Sequence, residues 1–178
     1  MSRSQSSAAA AAKAAPPPTL PAAHQWLRLA VGDTVCALPI DHVREILQVG
    51  RLTPLPRLPE VVRGVMNLRG AVVPVIDLGA RLHGRPTVVG RRSCIIVVEL
   101  PATGGQPALV AGVMVDAVFE VVDVAGPEAS APPPLGTHIA PEHVQGIYQA
   151  QGRMVHLLDI ERVLAQHALT ELVAAHVC

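Results

Sequence analysis

VVRGVMNLRGAVVPVIDL, residues 61–78, is two apolar, β-branched runs split by a single Arg-Gly pair. Side chains branched at Cβ are stiff at χ1 and suit a pleated, half-buried surface, so each run reads as a strand. Gly70 accepts φ > 0 without penalty, so Arg69-Gly70 reads as the tip of a hairpin. Pro74 gives nothing to a ladder on its nitrogen side, which points to a sheet edge or a bulge in the second strand. A permanent cation, Arg69, thus sits in a segment otherwise suited to a core. Either the turn wants it there or a partner does.

The same style extends in both directions. WLRLAV (26–31), a Gly32-Asp33 turn and TVCALPI (34–40) form a hairpin pattern, and HVREIL (42–47) offers another strand after Asp41. LTPLPRLPE (52–60) holds three prolines and must be an irregular connection. SCIIVVEL (93–100), ALVAGVMV (108–115), DAVFEVVDV (116–124), VQGIYQ (144–149) and MVHLLD (154–159) read as further strands, with a Pro/Ala-rich surface loop at 125–137. Asp159 is an N-cap for a last helix over about 160–175, whose apolar stripe is Ile160, Val163, Leu164, Ala168, Leu172 and Val173.

An internal repeat organises these elements. Without a gap, PEVVRGVMNLRGAVVPVIDLGARL (59–82) aligns with PEHVQGIYQAQGRMVHLLDIERVL (141–164), and both glycines and the terminal Asp coincide. Upstream, Asp41, Val43 and Glu45 face Asp116, Val118 and Glu120. The economical reading is a duplicated all-β unit, residues 26–82 and about 93–164, each with about five short strands. Each unit is small for an independent core, so the two should pack together. Gly70 matches Gly152, so a glycine at the tip serves the fold, whereas Arg69 matches the neutral Gln151. The backbone therefore does not require a cation there, and Arg69 is either a contact residue or an ordinary solvated tip.

Composition narrows the function. The 178 residues are half hydrophobic, with 26 valines but only three aromatics, Trp26, Phe119 and Tyr148. Formal net charge is zero, which together with so few stacking rings argues against nucleic-acid binding. Cys36, Cys94 and Cys178 are scattered and read as reduced thiols. The start, MSRSQSSAAAAAKAAPPP, reads as a disordered Ala/Pro-rich tail over residues 1–24, and no apolar run reaches the roughly 20 residues that span a bilayer.

The residues DHVREIL, GVMNLRGAVVPVIDL, GVMVDAVFEVV and HVQGIYQAQGRMVHLLDIERVL, in that order over about 26–165, resemble the signature of CheW-like coupling domains of bacterial chemotaxis arrays. The resemblance implies an all-β fold of two five-stranded barrels of the Src-homology-3-like kind, side by side across an apolar seam, with short helices and a C-terminal helix over 160–178. On the sequence the first barrel is set at about 25–85 and the second at about 92–160, within a domain over 25–165. The implied function is a non-catalytic scaffold in the cytoplasm, at receptor arrays on the inner face of the membrane. Its implied partners are the cytoplasmic hairpin tip of a chemoreceptor and the regulatory domain of the histidine kinase CheA, with no nucleic acid and no membrane insertion. Carried over position by position, Val43, Glu45, Arg69, Val118 and Val121 become receptor- or kinase-binding residues. The valines would line the seam or the core, and Glu45 and Arg69 would pair with each other or with a partner. Gly64, Gly70, Gly112, Gly146 and Gly152 become structural glycines.

Other chemistry has little to stand on. The eight histidines form neither HExxH nor a C-x-x-C partner set, so no metal and no cofactor is expected. No G-x-S-x-G elbow or GxxxxGK[ST] loop occurs, and Asp77, Asp116 and Asp159 stand at the ends of apolar runs, where Asp caps or turns. His156 reads as a satisfied core or edge histidine. The remaining alternatives are an interaction or small-ligand barrel outside receptor arrays, and a thiol or metal enzyme using Cys36 or Cys94.

Overall fold

The computed structural model describes residues 24–105, 107–125 and 139–164. The first hairpin joins β1 (His24–Val31) to β2 (Thr34–Pro39), and a 3-10 turn at Ile40–His42 leads into β3 (Val43–Gln48). The opening stretch becomes β4 (Val62–Leu68) and β5 (Ala71–Asp77), followed by a short helix α1 (Leu78–His83). β6 (Cys94–Leu100), β7 (Leu109–Val115) and β8 (Ala117–Val124) come next. A 3-10 turn at Pro141–His143 then precedes β9 (Val144–Ala150), β10 (Arg153–Leu158) and α2 (Ile160–Leu164). The rest of the expected last helix and most of the 125–137 loop lie outside the described residues, as does the tail before His24.

These strands form two five-stranded sheets, ordered β8-β1-β2-β10-β9 and β3-β6-β7-β5-β4. Each sheet takes its strands from both repeats. The halves 25–85 and 92–160 therefore do not each close a barrel of their own, which corrects the boundaries set on the sequence. Strands one and two of one copy are completed by strands three, four and five of the other. The copies meet at four strand pairs: β5 with β7 and β10 with β2 are parallel, and β1 with β8 and β3 with β6 are antiparallel. Because the copies share one strand pattern, the repeat alone does not say which copy supplies a strand's neighbour. The choice is made by tertiary packing.

The repeat itself holds at single-residue resolution. In β3, Val43 pairs with Val98 and Glu45 with Val97, leaving Arg44 as a bulge. In β8, Val118 pairs with Leu29 and Val121 with Leu27, and the register slips at the same place. In β4 and β9 the slips fall at the matching Arg63 and Gln145. A bulge bends and twists a strand, which lets so short a sheet curl toward closure.

The sheet β3-β6-β7-β5-β4 is closed by Thr53, in the segment after β3. Its N–H donates to the Val65 carbonyl (2.8 Å) and accepts the Val65 N–H on its own carbonyl (2.9 Å). Gly64 makes this possible: at φ +142, a Cβ there would stand 2.5 Å from the Thr53 oxygen. Gly112 is tight for a different reason, since its Cβ would meet the Ile95 side chain at 2.8 Å. Gly146 is buried opposite Leu157. Pro74 departs from expectation, because β5 lies between β7 and β4 and is no edge strand. Val65 spends its backbone groups on Thr53, so Val65 and Pro74 oppose each other without ladder bonds, and pairing with β7 begins only at Val75. The missing N–H costs nothing in that slot.

The largest apolar cluster lies between the sheets rather than within either. It joins Leu27, Leu29, Cys36 and Leu38 from one sheet to Ile96, Val98, Ala111 and Val113 from the other. Smaller clusters fill each barrel: Trp26, Ala37, Val124, Val155 and Leu157 in one, and Val75, Ile95 and Met114 in the other. In β5, β6, β7 and β10 consecutive residues are buried, so one face fills its own barrel and the other faces the seam. This explains why the runs carry so little polar alternation.

Candidate functional site

Both hairpin tips are two-residue turns with positive φ at each position: Arg69 at 52° and Gly70 at 86°, Gln151 at 52° and Gly152 at 75°. That is the type I′ geometry that matches the right-handed twist of a hairpin. The tip after β4 is fastened further, because the Gly70 N–H donates to the Asn67 side chain at 3.0 Å. Identical backbones therefore present different side chains.

Arg69 Nη2 donates to Glu45 Oε2 on β3 at 3.2 Å. Glu45 is largely shielded, with 24% of its side chain exposed, whereas Arg69 is 80% exposed and keeps most of its donors free. The pair spans the closure of its barrel. The matching carboxylate in the other barrel, Glu120, takes its cation from within the sheet instead, by pairing with Arg28 on β1. Arg28 also lies over the Phe119 ring, 5.8 Å from its centre. The structure thus brings Glu45 and Arg69 together and sets Val118 and Val121 on the other sheet.

Val43 and Val118 are half-buried at matching positions, both packed against the seam cluster. Val121 is 44% exposed and is no core residue. Its cross-strand partner is Leu27, deep in the seam, and paired residues point to the same face. Val121 therefore carries the seam face out to solvent. Ile46 does the same in the other sheet: it is 43% exposed opposite the buried Ile96. Sequence reasoning passed over Ile46, although the repeat aligns it with Val121 and so contained the signal.

The thiol reading fails at Cys36, which is fully buried in the seam. Burial pushes its thiol up to about 12, far from the thiolate needed for nucleophilic chemistry. His156 is buried and only partly satisfied: Nδ1 lies 3.4 Å from the Val35 carbonyl, while Nε2 has no partner among the described residues. Burial lowers its pKa, as it does that of His143, where the Arg81 cation adds to the effect and Glu142 opposes it. Among the described residues no group of His, Cys, Asp and Glu is placed to hold a metal, and no helix is long and apolar enough to cross a membrane.

The CheW-like domain family matches residues 25–168. The chain belongs to that family. It is 38% identical over 137 residues to protein FrzA of Myxococcus xanthus, covering 75% of this chain and 81% of that one. It is 33% identical over 133 residues to the chemotaxis protein CheW of Rhizobium meliloti, covering 75% and 82%. Among solved structures it resembles the scaffolding protein CheW of Thermoanaerobacter tengcongensis, with TM-score 0.70 and 30% identity, covering 84% of this chain and 92% of that one. The match runs through both sheets, so the strand exchange and the seam lie within the CheW-like part of the chain. As a CheW-like protein of this kind, the chain is a chemotaxis coupling adaptor.

Proposed function

We propose that the chain couples a chemoreceptor to the histidine kinase CheA by holding each on a different part of its surface, without catalysis. The receptor's cytoplasmic helical hairpin tip would lie along the apolar strip of Val43, Ile46, Val118 and Val121. The regulatory domain of CheA would meet the barrel end that carries Glu45 and Arg69. These contacts would keep the protein in the cytoplasm at receptor arrays.

The observation that carries this reading is the pair Ile46 and Val121. Two apolar side chains at equivalent positions are left in solvent, each continuous with the buried seam. An apolar strip with a charged rim is the anatomy of a helix-in-groove interface. The strip supplies most of the binding energy, and the Glu45–Arg69 rim supplies orientation and association rate.

Co-sedimentation with receptor and kinase tests both parts. The Ile46→Glu plus Val121→Glu protein should lose receptor binding while keeping its circular dichroism spectrum. Arg69→Glu should fold normally, since an exposed ion pair is worth about 0–1 kcal/mol, yet weaken assembly by setting two carboxylates together. Undiminished receptor binding by the double variant would sink the groove assignment, and full assembly by Arg69→Glu would sink the rim.

A further inference from the structure

A concave feature lies where the two sheets meet. Its volume is about 520 Å³, and its walls are the β1–β2 turn, the C-terminal end of α1 with the segment that follows, and Asp116 between β7 and β8. That volume falls in the range of small-molecule sites.

The walls are held rigidly. Asp77, with no exposed surface, caps α1 by accepting the Ala80 N–H at 3.1 Å. It also accepts the Thr87 N–H at 2.9 Å and the Thr87 hydroxyl at 2.7 Å, which clamps the segment after α1 against the helix. Gly79 permits the close fold, since a Cβ there would stand 2.7 Å from the Arg85 carbonyl. On the opposite wall, the Gly32 N–H donates to Asp116 at 2.7 Å, and the Asp116 N–H donates to the Ala30 carbonyl at 3.0 Å.

The charges on these walls are mixed. Arg85 and Asp33 both line the cavity, and neither side chain has an ion pair among the described residues. His83 also lines it, and its buried Nε2 has no hydrogen-bond partner among the described residues. The adjoining Cδ2 lies 4.0 Å from where a Gly32 Cβ would be, so this nitrogen sits beside the β1–β2 turn. An unpaired guanidinium and an unpaired carboxylate thus share one concave space among the described residues. A simple anion would meet Asp33 and Asp116, and a simple cation would meet Arg85.

We infer that this cavity binds a small zwitterion of the free α-amino acid class. Arg85 takes the carboxylate, Asp33 and Asp116 take the ammonium, and the remaining volume takes the side chain. No residue lining it belongs to the strip assigned to the receptor, so the inference does not rest on that assignment.

Isothermal titration calorimetry on the full chain, with each of the twenty L-amino acids in turn, tests this. Acetate and methylammonium serve as single-charge controls. At least one amino acid should bind saturably with Kd below about 1 mM, and Arg85→Ala and Asp33→Asn should each weaken it at least about tenfold at an unchanged melting temperature. Both residues are exposed, so neither substitution threatens the fold. No amino acid binding below that limit, affinity unchanged in the two variants, or acetate binding as tightly as the amino acid would each overturn the inference.

Discussion

Asp77 and Asp159 end the same strand in the two repeats and cap the helix that follows, yet their surroundings differ. Asp77 is fully buried, binds Ala80 and Thr87, and faces Arg63 at 3.3 Å. Asp159 is partly exposed, accepts the Arg162 N–H at 3.3 Å and lies 3.6 Å from that residue's guanidinium. The pattern recurs at the tips, where Arg69 reaches across to Glu45 while Glu120 is paired within its own sheet. Duplication preserved the backbone positions and released the side chains. One barrel turned its copies toward clamping and contact, and the other kept simpler local bonds.

Four measurements would break or sharpen this contrast. The largest effect is expected from Gly64→Ala, which adds strain at positive φ to a backbone clash at the barrel closure. Its loss of stability should be about 3–5 kcal/mol by urea denaturation. Gly146→Ala is the paired experiment, and an equal loss would mean that both barrels depend on an equally tight approach. Next, Asp77→Ala should cost about 3 kcal/mol, from a lost cap plus a stranded buried N–H, while Asp159→Ala should cost about 1 kcal/mol. Equal losses would erase the difference drawn between the two caps.

The tips come third. Gly70→Val and Gly152→Val should each cost about 1–2 kcal/mol, since both glycines hold positive φ in open space and the penalty is strain alone. Similar melting temperatures for the two variants would confirm that the tips are interchangeable as backbone, and parental melting temperatures would refute the turn assignment. The smallest effect concerns pH. In the folded state burial holds the pKa values of His143 and His156 below the ordinary histidine value of 6.5, so between the folded and unfolded values the unfolded chain binds more protons. Stability should therefore fall as pH drops through about 6.5 and level off below the folded values. Thermal melts at pH 7.5 and 5.5 check this, with His156→Gln expected to blunt the loss. A parent that is more stable at pH 5.5 would contradict the sign.

Much of the molecule could be read without coordinates. Turn and strand patterns located all ten strands, and the helix cap at Asp159 follows from its place before an amphipathic run. Arg69 and Glu45 were visible as a charged pair. That they bond to each other, and that Val121 is exposed while Val118 is half-buried, was not visible. Those outcomes depend on which strand lies alongside, and a bulge between 118 and 121 alters which face each residue takes. Helix α1 was also missed, although its cap Asp77 aligns with Asp159.

The sequence by itself determined the β-rich class, the repeat, the glycine tips and the family, because β-branched runs, positive φ and motif order are local properties of the chain. Only the tertiary structure decided that the two repeats exchange strands, that Ile46 and Val121 remain in solvent, and that charges from distant segments share one cavity. Two copies of one strand pattern offer each strand two candidate neighbours. Local pattern cannot choose between them, and the choice falls to how the whole set of apolar faces packs into one seam.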